Sequence, residues 1–572
     1  MKRLLLILLA LARVASALEV RETIWGFNGQ ATPGAFNPLS VLVENPATAP
    51  FDGALELVET RVGGSVGARL VQPVFVAPFT ARWVQFYPFV SRENEWLLSW
   101  GHRAQERAEV ATPKFTAPVR VLLADANDTF ARPTKLRTFP ENLFPPTVSA
   151  TDGLASVVLD HAPRWEPAKR EAFLDWIRRG GTLHVLHGAD GKFPIFPDEL
   201  AALNFESERV RVGAGAVVRH PFPRDAASDE KLGEPLPELK NGKQVRIYSV
   251  ESSFFQMLAS FTRPDINWGF IYGLAVLYLG AVGPWHYLWG RKKKSRVVLA
   301  ALLGIVVLFA LLFGMVGRRG YGETASVHSL AWARALGGGR FDVMEWDNVF
   351  VTRGDFYALK HDAAHNLYGT PDENDGVNGR VTGGRDGGFD VDIPLYSSRA
   401  FVHHAVLKGD DTGVNVLEWD GGDRLTKLTL ATPPGFPKNV LEVWARGRKE
   451  FYKLRVAGNR LELTDTHQTA EAFFTEHTIT PTPAVRRFSE NGKTVDTETE
   501  YRASLPVLLA RALGGTDQFQ RYIESSPLPA DCLQLFIFAR SPDGFRVRAK
   551  GFDKQTGFVL YEQKIFKPTA TP

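Results

Sequence analysis

The chain has a single cysteine, Cys532, in 572 residues. One thiol excludes an intramolecular disulfide framework, a cysteine-rich zinc site and an iron–sulfur cluster, each of which needs at least two. A surplus of one charge is also missing: 67 lysines and arginines against 63 aspartates and glutamates leave a formal charge of only +4. So small an excess supplies no basic face for nucleic acid, and the one dense basic run, Arg291 to Arg296, is short. Nucleic acid is therefore not an expected partner. Hydrophobic residues at 44% and charged residues at 23% exclude a disordered, collagen-like or coiled-coil chain. A length prior of roughly 100–200 residues per domain divides the chain into several units.

What is present begins with a targeting pattern. Met1-Lys2-Arg3 precedes an apolar run from Leu4 to Ala12, and Ala15-Ser16-Ala17 closes it. These are the parts of a secretory signal peptide over residues 1–17, with cleavage after Ala17 and an uncleaved anchor as the alternative. No cysteine follows the cleavage site, which excludes a lipoprotein anchor. Mid-chain, residues 266–290 and 297–317 contain no Asp, Glu, Lys or Arg, and each is long enough to span a bilayer. They predict a two-helix transmembrane hairpin over 266–317. The loop at 291–296 holds Arg291, Lys292, Lys293, Lys294 and Arg296, which the positive-inside rule places in the cytoplasm. Both flanking regions are then extracytoplasmic, at a bacterial inner (plasma) membrane, with the lipid bilayer as first partner. Trp268, Tyr272, Trp285, Tyr287 and Trp289 cluster near the ends of the first span, where amphipathic rings prefer the interface. Gly269 and Gly273 form a GxxxG spacing that lets another helix approach closely.

Residues 18–116 alternate short β-prone runs with turn formers, such as Leu39–Val43 before Asn45-Pro46, and read as an immunoglobulin-like β-sandwich. From 117 to 262 the pattern changes to α/β. Val119–Ala124 and Ala155–Asp160 are buried-type strands, and a helix opens at Pro167 and runs through Phe173, Trp176 and Ile177. Gly180-Gly181 stops that helix before the strand Thr182–Leu186.

Asp160, Trp165, the helix with Phe173 and Trp176-Ile177, and then Arg178-Arg179-Gly180-Gly181-Thr182-Leu183 resemble the class I glutamine amidotransferase-like domain. The resemblance is to the version carried by bacterial membrane proteins of unknown function that have an N-terminal β-sandwich and a transmembrane hairpin. Tyr278, Gly283, Pro284, Tyr287 and the basic loop look like the motif those hairpins share, and the resemblance covers residues 18 to 330. It implies a degenerate domain, because amidotransferases need a cysteine nucleophile and this domain has none. Amidotransferase-type catalysis is not expected. At the carboxyl edge of such a sheet Asp125, Asp128, Asp160, His161 and His187 are candidates to line a crevice.

Residues 318–572 form a C-terminal β-rich extracytoplasmic domain in this reading. Ser326 to Leu336 has amphipathic helical spacing, strands follow at 391–396, 425–430, 441–444 and 533–538, and Leu505 to Leu513 reads as a helix stopped by Gly514-Gly515. Cys532, before an apolar strand, is expected to be an inert core thiol. His361 and His365 stand i, i+4, which on a helix turns both rings to one side as in zinc hydrolases, with Asp362 in place of the usual glutamate. His403-His404 offers a third ligand, although neighbouring strand residues point to opposite faces. Asp372 to Gly376 resembles an oxygen-rich calcium loop without the EF-hand spacing. The sum is a multidomain α+β membrane protein with no expected cofactor. It is read as a non-enzymatic, membrane-anchored extracytoplasmic scaffold or binding protein with a membrane or envelope protein partner. A metal-dependent hydrolase and an accessory subunit of a transporter are the alternatives.

Overall fold

The computed structural model describes residues 18–61, 64–101, 106–125, 133–241, 250–262, 268–291, 293–317, 324–371, 376–422, 424–476, 497–515, 521–524, 527–552 and 554–568. The signal-peptide segment 1–17, Asp128, Lys292, and Asp372 to Asp375 of the acidic loop lie outside them. The architecture is multidomain and strand-rich.

In the α/β unit, Val119–Ala124, Leu154–Leu159, Thr182–His187 and Gly215–Pro223 pair in parallel. Both faces of these strands are covered, so they read as continuous apolar runs rather than alternating ones. The crossover helix Pro167–Arg179 starts with proline in its first turn, where a missing N–H costs nothing, and ends at Gly180 with φ 135°. A Cβ on Gly181 would come within 2.3 Å of the Trp176 ring, so only glycine lets the chain double back over the helix. Phe173 sits edge-on to Trp165 at 5.1 Å, and Phe144 stacks on Trp165 at 4.9 Å, which closes this core.

The N-terminal sandwich has one sheet of Glu19–Trp25, Leu39–Asn45 and Thr80–Phe86. Its second sheet carries Phe51–Thr60, Arg69–Val76, Glu95–Trp100 and Glu106–Val110 and then continues into the far half of the chain. Arg69 to Val71 pair in parallel with Arg380 to Thr382, and Gly388–Ile393 and Asp355–Leu359 extend the same sheet. Glu238–Asn241 likewise pairs with Arg521–Glu524. The regions before and after residues 266–317 are thus interlocked by backbone hydrogen bonds.

An 11-stranded sheet dominates the C-terminal half. Ser397–Lys408, Arg340–Val351, Ser326–Gly337 and Lys554–Phe566 lie side by side in it, in that order, and lead to the middle strand, Cys532–Arg540. The expected helix at Ser326 to Leu336 is therefore a strand. It pairs on both sides and is covered on both faces, so its apolar residues, Val327, Leu330, Ala331, Trp332, Ala333, Ala335 and Leu336, do not alternate, and the run contains helical spacing as well. One face, with Leu330, Trp332, Met344 and Trp346, packs under the helices Val250–Ser260 and Leu505–Ala512. The other, with Ala331, Val343 and Leu407, shares a core with Leu428, Val443 and Leu461 as the sheet curls round.

Residues 268–317 form a helical pair. Trp268–Gly280 continues through a wide π turn, Ala281–Trp285, into His286–Gly290, and Ser295–Gly317 returns. Pro284 lies inside the π turn, where a residue without an N–H forces the ladder to widen. Ser295–Met315, at 21 residues, is long and apolar enough to cross a membrane, and none of it is buried against the rest of the chain.

Candidate functional site

Tyr278, Gly283, Pro284, Tyr287 and the basic residues of the helical pair fall into two groups. Tyr278 packs on Phe309 of the returning helix, with ring centroids 5.2 Å apart. Gly283 and Pro284 make the π turn. At the loop end the Arg291 guanidinium lies 5.8 Å over the Tyr287 ring and Lys293 lies 5.8 Å over Trp289, so the basic residues fold back on the aromatic girdle. Lys294 and Arg296 are exposed. A Cβ on Gly273 would meet no atom within 4 Å, so the GxxxG face is not the one that packs within the pair.

At the carboxyl edge of the parallel sheet, Asp160 and His161 bond to each other and to Glu141 and Arg224, whereas the His187 ring packs on Phe193. His161 lies between two carboxylates, Nδ1 3.0 Å from Asp160 Oδ1 and Nε2 2.9 Å from Glu141 Oε2. Arg224 closes the row with two bonds to Asp160 at 2.5 and 2.6 Å. Burial opposes protonation of His161, yet its hydrogen bonds to both acids raise it to about 9. Burial likewise opposes the Asp160 charge, but hydrogen bonds from His161 and Arg224 hold that carboxyl well below its usual range. A ring fixed at both nitrogens has no free lone pair to act as a base, and this row ties the sheet edge together.

The raised histidine has a pH signature. Its contribution to stability is complete below the ordinary value of 6.5 and is lost as pH rises through about 9. At about 1.4 kcal/mol per pKa unit, the loss is on the order of 3 kcal/mol. The stability advantage of the natural chain over His161→Gln, read from denaturant midpoints, should be largest at pH 6 and shrink steadily to pH 9.5. An advantage equal at both ends would exclude the charged row.

The histidine pair of the C-terminal half is rearranged. Residues 361–365 are bends, not helix, so His361 and His365 do not share a face. His361 is buried, while His365 is half-buried and takes no part in the cluster. His361 instead meets His403 and Glu345, whose ligand atoms lie within 4.8 Å of one another. The strands Arg340–Val351 and Ser397–Lys408 set Glu345 directly opposite His403, and Tyr368 lies opposite His403 on its other side. His404 points to the opposite face, where its Nε2 is 2.9 Å from Asp342 Oδ1. Burial, then the adjacent His361 and His404, hold His403 well below the ordinary histidine range and keep it neutral. Burial, then Glu345, push the Asp347 carboxyl well above its ordinary value. Glu345 was not singled out in the sequence. Its signal is three acids, Asp342, Glu345 and Asp347, in one strand whose residues are nearly all buried.

Between the α/β unit and the large sheet lies a cleft of about 490 Å³. Arg334 lies 4.5 Å over Trp332 on one wall, with Arg446 and Lys564 close by. Most of its cations are neutralised in place, Arg120 by Asp229, Arg211 by Asp531, and Arg179 and Arg334 by Asp152 and Asp342. Cys532 lines the same cleft, and burial raises its thiol to about 11, which keeps it protonated.

No family model matches the sequence, and no curated protein matches it. Among solved structures, the chain is similar to a cycloisomaltooligosaccharide glucanotransferase of Paenibacillus sp. in complex with cycloisomaltoheptaose, at 8% identity and TM-score 0.15 over 79% of this chain and 98% of that one. A β-glucuronidase of glycoside hydrolase family 2 aligns at 8% identity and TM-score 0.13 over 97% of this chain and 62% of that one. Likeness at this level carries no argument about fold or activity.

Proposed function

We propose that the chain is a non-enzymatic, membrane-anchored extracytoplasmic scaffold or binding protein of the bacterial envelope. Its helical pair sits in the bilayer, and its interlocked soluble units hold a membrane or envelope protein partner. The observation that carries this reading is the strand exchange across the hairpin. Arg69 to Val71 pair with Arg380 to Thr382, and Glu238–Asn241 pairs with Arg521–Glu524. Backbone ladders form only between segments in one compartment, so the chain between them must cross a bilayer an even number of times or not at all. Ser295–Met315 is apolar, long enough to cross and uncovered by protein, and Trp268–Gly290 is the segment able to complete the second crossing. The aromatic girdle and basic loop at the turn support a cytoplasmic tip. The resemblance to membrane proteins with a degenerate amidotransferase-like domain supports the non-enzymatic part. So does His161, whose two nitrogens are both occupied by carboxylates.

Single-cysteine labelling tests the topology, because Cys532→Ala removes the one native thiol. Cysteines are placed at exposed Lys114, Lys293 and Lys427. A membrane-impermeant maleimide applied to intact spheroplasts should label the Lys114→Cys and Lys427→Cys variants and reach Lys293→Cys only after permeabilisation. Labelling of Lys293→Cys alone in intact cells would reverse the proposed orientation, and equal labelling of all three would remove the membrane.

A further inference from the structure

We propose that Glu345, His361 and His403 form a buried binding site for one zinc-class divalent cation, which pins two adjacent strands of the large sheet, Arg340–Val351 and Ser397–Lys408, to the 361–368 segment. Three buried ligand atoms within 4.8 Å of one another, none with a hydrogen-bond partner, carry the argument. Asn366 Nδ2 lies 3.2–3.4 Å from the carbonyl oxygens of His361, Ala363 and Gly387, which fixes its amide so that Oδ1 faces His403. His403 Nε2–H donates to that Oδ1 at 2.8 Å, and Nδ1 is left as the lone-pair atom. The Tyr368 hydroxyl oxygen accepts the His361 backbone N–H at 3.0 Å and stands 3.1 Å from Nδ1 of the same ring. With that Nδ1–H donating to the hydroxyl, Nε2 presents its lone pair inward. Nε2 of His361, Nδ1 of His403 and Oε2 of Glu345 then lie within 4.8 Å of one another, and none has a hydrogen-bond partner.

Their side chains are at most 1% exposed for His361 and Glu345, and His403 is fully buried, so water does not solvate them. Clustered buried acceptors without a donor cost several kcal/mol. A cation removes that cost at all three atoms, whereas one proton on Glu345 serves a single pair. The outer nitrogens are already tied to an amide and a phenol, the arrangement that orients metal-bound imidazoles.

Two imidazoles and a carboxylate are the donor set of zinc, whereas magnesium and calcium take oxygen alone. A tetrahedral ion with ligands about 2.1 Å away separates them by about 3.4 Å. Glu345 Oε2 and His361 Nε2 are 3.5 Å apart. The two imidazoles stack 3.6 Å apart and 8° from parallel, so an ion between them lies off both ring planes and loading must turn one ring. The three side chains leave the fourth position of a tetrahedral ion to a water. A site this enclosed offers no open position to a substrate, so the ion is structural.

The full chain, purified in detergent, is analysed for bound metals, stripped with dipicolinate and reloaded with ZnCl2 or MgCl2 while its unfolding temperature is followed. One zinc per chain is expected. Stripping should lower the unfolding temperature by about 5 °C or more, and ZnCl2 but not MgCl2 should restore it. Glu345→Gln keeps the shape and brings an amide donor into the cluster, and it should fold while zinc content falls at least fivefold. If the natural chain takes up no zinc and ignores the chelator, the site is not a metal site, and Glu345→Gln should then stabilise the protein. Zinc retained in full by both Glu345→Gln and His403→Ala would place the ion elsewhere and overturn the assignment. Should either variant fail to fold, the stripping and reloading of the natural chain decides alone.

Discussion

Replacing Asp342 with asparagine is expected to lower the unfolding free energy by about 3–5 kcal/mol, the usual effect of removing one partner from a buried charge network. Asp342 is fully buried at the junction of the α/β unit and the large sheet. Its oxygens accept Ser149 Oγ at 2.8 Å, Arg179 at 2.7 Å and Arg334 at 2.5 Å, with His404 Nε2 at 2.9 Å. Ser149 and Arg179 belong to the α/β unit, whereas Arg334 and His404 stand on the sheet, so one carboxylate joins the two. Asparagine keeps the volume but leaves two guanidiniums to share Asp152 alone. Burial opposes the Asp342 charge, but His404, Arg334 and Arg179 outweigh it and hold the carboxyl well below its ordinary range. A depressed carboxyl stabilises the fold above its unfolded value of about 3.9, and that stability is lost as pH falls through the lowered folded value. The difference between the natural chain and Asp342→Asn should therefore be flat from pH 5 to 8 and shrink only in strong acid. Denaturant unfolding monitored separately in the two units should also show the transitions moving apart. A loss below about 1 kcal/mol would mean that the network is no stronger than a surface pair. The exposed Arg455–Glu462 pair is the control, and Glu462→Gln should leave the midpoint unmoved.

How much of this was legible in the sequence follows from the distance over which each feature is encoded. The α/β unit was legible because its signals are local. Strands covered on both faces are continuous apolar runs, and the crossover helix has a proline at its start and two glycines at its end. The same covering of both faces hides the strand at Ser326 to Leu336, because apolar residues on both faces, as in Leu330 to Ala333, erase the period-2 alternation and leave a helical spacing in view. Sharing of the sandwich sheet was not legible at all. Arg380 joins Arg69 across more than three hundred residues, and nothing in either short run announces its partner. The histidine cluster lies between these cases. The i, i+4 spacing with His365 marks His361, and His403-His404 offers a further ligand. Their true companion Glu345 is supplied by strand register, which a sequence displays only after the pairing is known.

The last expectation concerns the hairpin, where a single charge separates folding from membrane insertion. Val306 lies at the middle of Ser295–Met315, is 43% exposed and is not buried in any core of the soluble units. Val306→Arg places a guanidinium at the depth where insertion scales charge about 2.5–3.5 kcal/mol, roughly a hundredfold in the partition between membrane and water. The carbonate-resistant membrane fraction should therefore collapse. The thermal transition of the soluble units in detergent should stay where it is, because their cores, from Trp346 to Phe173, do not touch the altered residue. Leu299→Arg, one turn from the helix start, can carry its charge back to the interface and should cost much less. That graded loss is specific to a bilayer, since a helix lying against protein or free in water has no depth along which an arginine becomes steadily more costly. Equal membrane retention of the natural chain and Val306→Arg would show that this helix does not span, and the anchor would have to be sought outside Ser295–Met315.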